Sequence, residues 1–252
     1  MTFLNTLVSK AAVVALSLSI SSLSAAAAAD DEAEFVAEAQ AKLKATFQNL
    51  NVTDFREGPI PGLFEMNVGG QIVYFHPEEE VLIFGEIFSK EGLSLTAQSR
   101  SRTDSELHSG IPTEQAIVIG PEDGVPIIEF TNPNCGYCRQ LDQYLAGVGQ
   151  PVKRIIFFAV PQDPSAIARA VHVACSDDKE AAFREIYSGA KNDDFTACEE
   201  GQALVNSHRA ISSKAGVQAT PTLYLGRTPV RGFRRDAIGQ YITEQLRLLA
   251  SN

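Results

Sequence analysis

Cys135-Gly136-Tyr137-Cys138 sets two thiols at the junction of an apolar run, Pro126-Ile-Ile-Glu-Phe130, and a helical stretch over residues 135–147. This junction constrains the fold more than any other feature, because one strand end and one helix start must meet there, as they do in α/β layouts. Two intervening residues on a first helical turn let the sulfurs reach each other and close a short disulfide. The first cysteine falls where backbone N–H groups lack partners and the helix dipole is positive, which favours its thiolate. Cys138 lies one turn deeper, placed to attack a mixed disulfide formed on Cys135. Half of a zinc site is the competing use of such a pair. Zinc takes four ligands, the other cysteines are far away, and no histidine stands in ligand spacing, so no metal is expected.

The sequence around this pair alternates strand and helix. Ala116–Ile119 and Lys153–Ala159 read as strands, the second fully buried, and residues 164–176, 179–188 and 200–215 as helices. Thr222–Leu225 and Pro229–Gly232 read as a strand pair about Gly226, followed by an amphipathic helix over 235–250 carrying Ile238, Tyr241, Ile242, Leu246 and Leu249. A strand–helix–strand unit, a helical insert, a hairpin and a closing helix make an α/β fold over residues 115–252. Within it, Glu129 is a carboxylate in an apolar strand. If buried beneath the dithiol it would be raised in pKa and could take or return the Cys138 proton; the alternative is an outward-facing surface residue. Thr220-Pro221 opens a late strand. Proline is the residue for which a cis bond is cheap, and the backbone of Thr220 could then pair with an extended substrate; a trans proline at an edge strand is the alternative. Cys175 and Cys198 bracket a helical segment, and as a structural disulfide they would staple the insert at about 3 kcal/mol of loop entropy. A second redox pair is the alternative, but nothing like the Cys-x-x-Cys spacing surrounds them. The four histidines, His76, His108, His172 and His208, are scattered and receive no role.

The first part of the chain reads differently. In residues 31–50, Phe35, Ala39, Leu43 and Phe47 recur four apart on one helix face, with Asp30 and Asp31 as caps. Phe64, Met66 and Val68 alternate with polar neighbours as a half-buried strand. Gly69-Gly70 then makes a hairpin turn into Gln71–Phe75, and Val81–Phe84 follows. Residues 30–96 are therefore a small α+β unit with open strand edges, a liability that a second copy would cover. Residues 97–114 are a polar, partly helical linker interrupted by Gly110 and Pro112.

Residues 1–29 combine one basic side chain, a short apolar run and alanines 25–29, the pattern of a secretory signal peptide cleaved near Ala29. All four cysteines follow it, as suits an oxidising compartment. A formal net charge of −10 and the lack of a compact basic block argue against nucleic-acid binding.

Taken together, Phe130-Thr131 leading to Cys135-Gly136-Tyr137-Cys138, Gly216-Val217 before Thr220-Pro221, the Cys175/Cys198 pair and the small first unit resemble the DsbC/DsbG family of periplasmic disulfide isomerases. The resemblance implies a thioredoxin-like fold with Thr220-Pro221 as the cis bond. It also implies a V-shaped homodimer made through the first unit, and a cleft holding misfolded secreted proteins before Cys135. A membrane reductase of the DsbD type would keep the dithiol reduced, and no cofactor would be needed. Gly136-Tyr137 is similar to the isomerase branch, where DsbG has proline first. Glu129 departs from the DsbC pattern and looks like the buried acid of thioredoxin or of the DsbA oxidases. A DsbA-like oxidase, a client-specific reductase and a holdase chaperone are the other functions compatible with these residues.

Overall fold

The computed structural model describes residues 33–188 and 195–251. The expected signal peptide and the capping pair Asp30 and Asp31 lie outside the described residues. The chain divides after Ile87 into two compact units.

In the first unit a helix over 33–46, α1, precedes four strands: β1 (Val52–Glu57), β2 (Phe64–Val68), β3 (Gln71–His76) and β4 (Val81–Ile83). They form one antiparallel sheet in chain order. The β2–β3 turn uses Gly69 and Gly70 at φ +60° and +84°, a backbone that residues with a Cβ resist. Ala39 and Leu43 of α1 pack with Phe64, Met66, Val73 and Phe75. The strand β2 is buried on both faces rather than one, since Glu65 is 2% and Asn67 7% exposed. Both polar groups have partners: Glu65 meets Arg56 across the β1–β2 pair at 3.8 Å, and Asn67 accepts the Gly70 N–H at 2.8 Å. Strand β1 escapes a pattern search because its register shifts between Thr53 and Arg56, with Asp54 at φ +58°, which breaks the two-residue period.

The second unit begins with α2 (Leu95–Ser109), capped by Ser94, whose hydroxyl accepts the Ala97 N–H at 3.0 Å. The polar connection is thus helical for 15 residues, and Gly110 and Pro112 lie just beyond its end instead of interrupting it. Five strands follow: β5 (Ile117–Ile119), β6 (Val125–Thr131), β7 (Val152–Phe158), β8 (Thr222–Leu225) and β9 (Thr228–Arg231). Their order is β5-β7-β6-β8-β9, with β6 and β7 parallel and the other pairs antiparallel. The crossover between the parallel pair is α3 (Gly136–Gly147). The insert α4 (Pro164–Cys175), α5 (Lys179–Tyr187) and α6 (Glu199–Lys214) separates β7 from β8, and α7 (Arg235–Ala250) closes the chain. This is a thioredoxin-like fold with a helical insert, joined to a small α+β unit.

The central strands are buried on both sides, so their side chains divide by alternation. Val125 and Ile127 pack with Leu141, Leu145, Ile238 and Ile242, while Ile128 and Phe130 pack with Phe157 and Tyr224. Cys138 belongs to a third cluster, with Ile156, Phe158, Phe183 and Tyr187.

Candidate active site

The site forms where β6 stops. Asn132 turns the chain: its carbonyl accepts the Cys135 N–H at 3.0 Å and its side chain accepts the Asn134 N–H at 2.9 Å. The Asn134 amide donates to Asp163 at 2.7 Å, and Asp163 also caps α4, so the turn is tied to the insert. Cys135 is then the N-cap of α3, with extended backbone at φ −91° and ψ 123°. No acidic residue occupies the first turn of α3, so its unpaired N–H groups are free to meet sulfur.

The two thiols sit in opposed environments. Cys135 is half-buried and Cys138 fully buried. Burial opposes ionisation of Cys135. Hydrogen bonds to its sulfur from the side chains of Thr220 and Cys138, and from the backbone of Cys138 and Tyr137, outweigh burial and hold the thiol below its usual value. Burial pushes Cys138 up to about 12, against hydrogen bonds from Thr131 and the Asn132 backbone. The surroundings thus favour the thiolate form at Cys135 and the thiol form at Cys138.

Thr220 faces the first sulfur: the Cys135 thiol donates to its carbonyl at 3.2 Å, and the Thr220-Pro221 bond is cis. Tyr137, 62% exposed, stands beside Cys135 at the surface. Gly136 is the first residue of α3, with open space where a Cβ would point. Cys175 and Cys198 are joined by a disulfide across 23 residues, tying the end of α4 to the start of α6.

Glu129 is wholly buried, not surface-facing, and it is not alone. Arg154 Nε and Nη2 both donate to Glu129 Oε2, at 2.9 and 2.8 Å, and Arg154 Nη1 donates to Asp142 at 2.6 Å. Glu129 Oε1 has no protein partner. Burial works against the Arg154 charge, but the two carboxylates outweigh it. Neither Arg154 nor Asp142 stands out in a motif search. Two spacings mark them: Arg154 shares a strand face with Ile156 and Phe158, and Asp142 lies four residues after Cys138 on one helix face. Thr131 and Tyr187 complete the surroundings, their oxygens 2.9 Å apart. Among the described residues no group of side chains is arranged to hold a metal.

Residues 24–97 match the family model for the disulfide bond isomerase protein N-terminal domain. Over 206 residues the chain is 23% identical to the thiol:disulfide interchange protein DsbC of Escherichia coli strain K12, spanning 79% of this chain and 85% of that one. This is a DsbC-like protein. The DsbC-like chain is also 24% identical over 184 residues to the probable thiol:disulfide interchange protein DsbC of Bordetella pertussis, covering 71% of this chain and 63% of that one. Among solved structures, a linker-deletion mutant of Proteus mirabilis ScsC aligns at TM-score 0.49 and 19% identity, covering 60% of this chain and 85% of that one. This likeness, with the dithiol at the start of α3, makes the DsbC-like protein a thiol–disulfide oxidoreductase or isomerase.

Proposed function

We propose that this protein reshuffles wrong disulfides in exported proteins, with Cys135 as nucleophile and Cys138 as resolving thiol. The observation that carries the reading is the opposition of the two sulfurs: a reachable thiol with depressed pKa at a helix N-terminus, and a buried thiol pushed up to about 12 behind it. The Cys135 thiolate attacks one sulfur of a client disulfide. A mixed disulfide forms and the other client sulfur leaves as thiolate. That thiolate or another client thiol can attack again, giving a new pairing and regenerating Cys135. Alternatively Cys138 attacks Cys135, the client leaves reduced, and the enzyme is left oxidised. In this reading Thr220 pairs with the extended client through its backbone, Gly136 and Tyr137 form the contact surface, and Glu129 Oε1 accepts and returns the Cys138 proton. A membrane reductase of the DsbD type then restores the dithiol.

The same reading places residues 1–29 as a cleaved signal peptide and the mature protein in the periplasm. It takes 30–96 as the dimerisation domain, 97–114 as the linker and 115–252 as the catalytic domain. Dimerisation is supported by the first unit, whose sheet ends in β4 with Val81, Ile83 and Phe84 exposed. No helix among the described residues is long and apolar enough to cross a membrane.

Refolding of a scrambled-disulfide protein tests the mechanism. Wild type should restore activity to the scrambled client and Cys135→Ala should not. Reshuffling that survives in Cys135→Ala would overturn the proposal. An oxidase using the same residues would be found mainly oxidised in cells, whereas an isomerase stands mainly reduced.

A further inference from the structure

The nucleophile is delivered by a turn, Asn132-Pro133-Asn134, between the last residue of β6 and the N-cap of α3. The sheet fixes its near end: Thr131 pairs with Phe158 across β6–β7, and its carbonyl accepts the Ala159 N–H at 2.8 Å. Asn132 holds the middle, accepting the Asn134 N–H through its side chain at 2.9 Å and the Cys135 N–H through its carbonyl at 3.0 Å. At the far end the Cys135 carbonyl accepts the Arg139 N–H at 3.2 Å, closing the first turn of α3, and the Cys135 thiol faces the Thr220 carbonyl at 3.2 Å. Asn134, the residue immediately before the nucleophile, is exposed, and its side chain meets the insert.

Asp163, the N-cap of α4, is the insert's side of that contact. Its two carboxylate oxygens have separate uses: Oδ1 accepts the Ser165 N–H at 3.0 Å and Oδ2 accepts the Asn134 amide at 2.7 Å. Capping orients the carboxylate, so Oδ2 faces the turn in a fixed direction. Pro164 follows at the first helical position, where its ring stiffens the backbone behind the cap. A short hydrogen bond to an ionised acceptor is stronger than a neutral one. The Asn134 amide holds the Asp163 carboxyl below its ordinary value, so the acceptor is ionised throughout the range in which a thiol titrates. A hydrogen bond this near the surface adds little to folding stability. Its effect is local, on the residue next in the chain.

We propose that Asp163 and Asn134 form a latch that ties the nucleophile turn to the insert and holds Cys135 in its N-cap position facing Thr220. The inference rests on the exchange reading above and assigns two positioning residues to its first step. In that step the Cys135 thiolate sulfur bonds one sulfur of a client disulfide, the client S–S bond breaks, and the second client sulfur leaves with the electron pair. The attack needs a sulfur that is ionised and aimed outward. Both depend on where the N-cap places it against the open N–H groups of α3. Released from Asp163, the turn gains freedom, Cys135 spends less time in that place, and its thiolate is less favoured. Neither Asn134 nor Asp163 touches the reacting atoms.

The test is a double-variant cycle on the reduced protein, read as the pH dependence of iodoacetamide capture at Cys135, with the labelled peptide located by mass spectrometry. Asn134→Ala removes the amide and keeps the backbone N–H that bonds Asn132. Asp163→Ser removes the latch and keeps a good N-cap for α4. Each should raise the midpoint of the rate profile by about half a pH unit relative to wild type. The double variant should rise no further than either alone, since both substitutions remove one contact. Urea unfolding is measured alongside: a purely structural tie would lower stability and leave the midpoint in place. Midpoints within about 0.1 pH unit of wild type in both single variants, or a double-variant rise equal to the sum of the single ones, would overturn the proposal. If Asp163→Ser does not fold, Asn134→Ala decides by its midpoint alone. Cys135→Ala in the scrambled-protein assay keeps the two readings apart. Loss of reshuffling there, beside unmoved midpoints in the latch variants, overturns the latch and leaves the exchange reading standing. Reshuffling that persists without Cys135 overturns both.

Discussion

Cys135 and Cys138 are chemically alike, and what separates them is position along one helical turn. The N-cap residue keeps its sulfur at the surface and among unpaired N–H groups, while the residue three places on turns into the core. Alkylation measures the result directly. In the reduced protein iodoacetamide should label Cys135 and spare Cys138. The rate should rise with pH through a midpoint below that of an ordinary thiol and level off above it, because only the thiolate reacts and the Cys135 pKa is depressed. A midpoint at or above the ordinary value would contradict the hydrogen-bonded thiolate. Arg154 makes a second residue-scale case. Arg154→Met would leave Glu129 and Asp142 without their shared cation, at a cost of about 3–5 kcal/mol in urea unfolding. Adding Glu129→Leu should recover part of that loss, since the uncompensated carboxylate is what costs. The motif reading found Glu129 but not Arg154, because a single inward arginine has no signature until strand β7 lies beside β6.

Among the elements, α3 and the strands around it were legible because their periods are regular and their ends carry turn residues. Strand β1 was hidden by its bulge. Helix α2 was obscured by its composition: its buried residues are Thr96, Ser99 and Thr103, small polar groups that leave no apolar stripe. The insert depends on its disulfide. Gly201 sits so close that a Cβ there would press into Cys175 Sγ, with Cys198 Sγ at 3.0 Å, a role no spacing rule reveals. Replacing Cys175 and Cys198 together by serine should lower stability by about 3 kcal/mol. Urea denaturation with and without reductant checks this, and wild type in reductant should match the variant.

For the whole molecule, the proposed second copy is the largest consequence. A long-lived dimer through the β4 edge would double the mass measured by light scattering. Ile83→Lys, a charge at that exposed edge, should give monomers. Those monomers should still reduce a small disulfide through Cys135 yet lose most reshuffling of a scrambled protein, which needs the client held. Full reshuffling by a monomer would remove the dimer from the mechanism. At this scale the division of labour between sequence and structure is clear. Local chemistry was readable in one dimension: the dithiol at a strand–helix junction, the alternation of strands and helices, and the proline before β8. These depend on neighbours within a few residues. The pairing of Thr220 with Cys135, of Arg154 with Glu129 and Asp142, and of Tyr187 with Thr131 joins residues 12 to 85 positions apart. Only the folded sheet brings such groups within hydrogen-bond reach. Burial, which sets the two thiols apart, exists only once the core has closed over one of them.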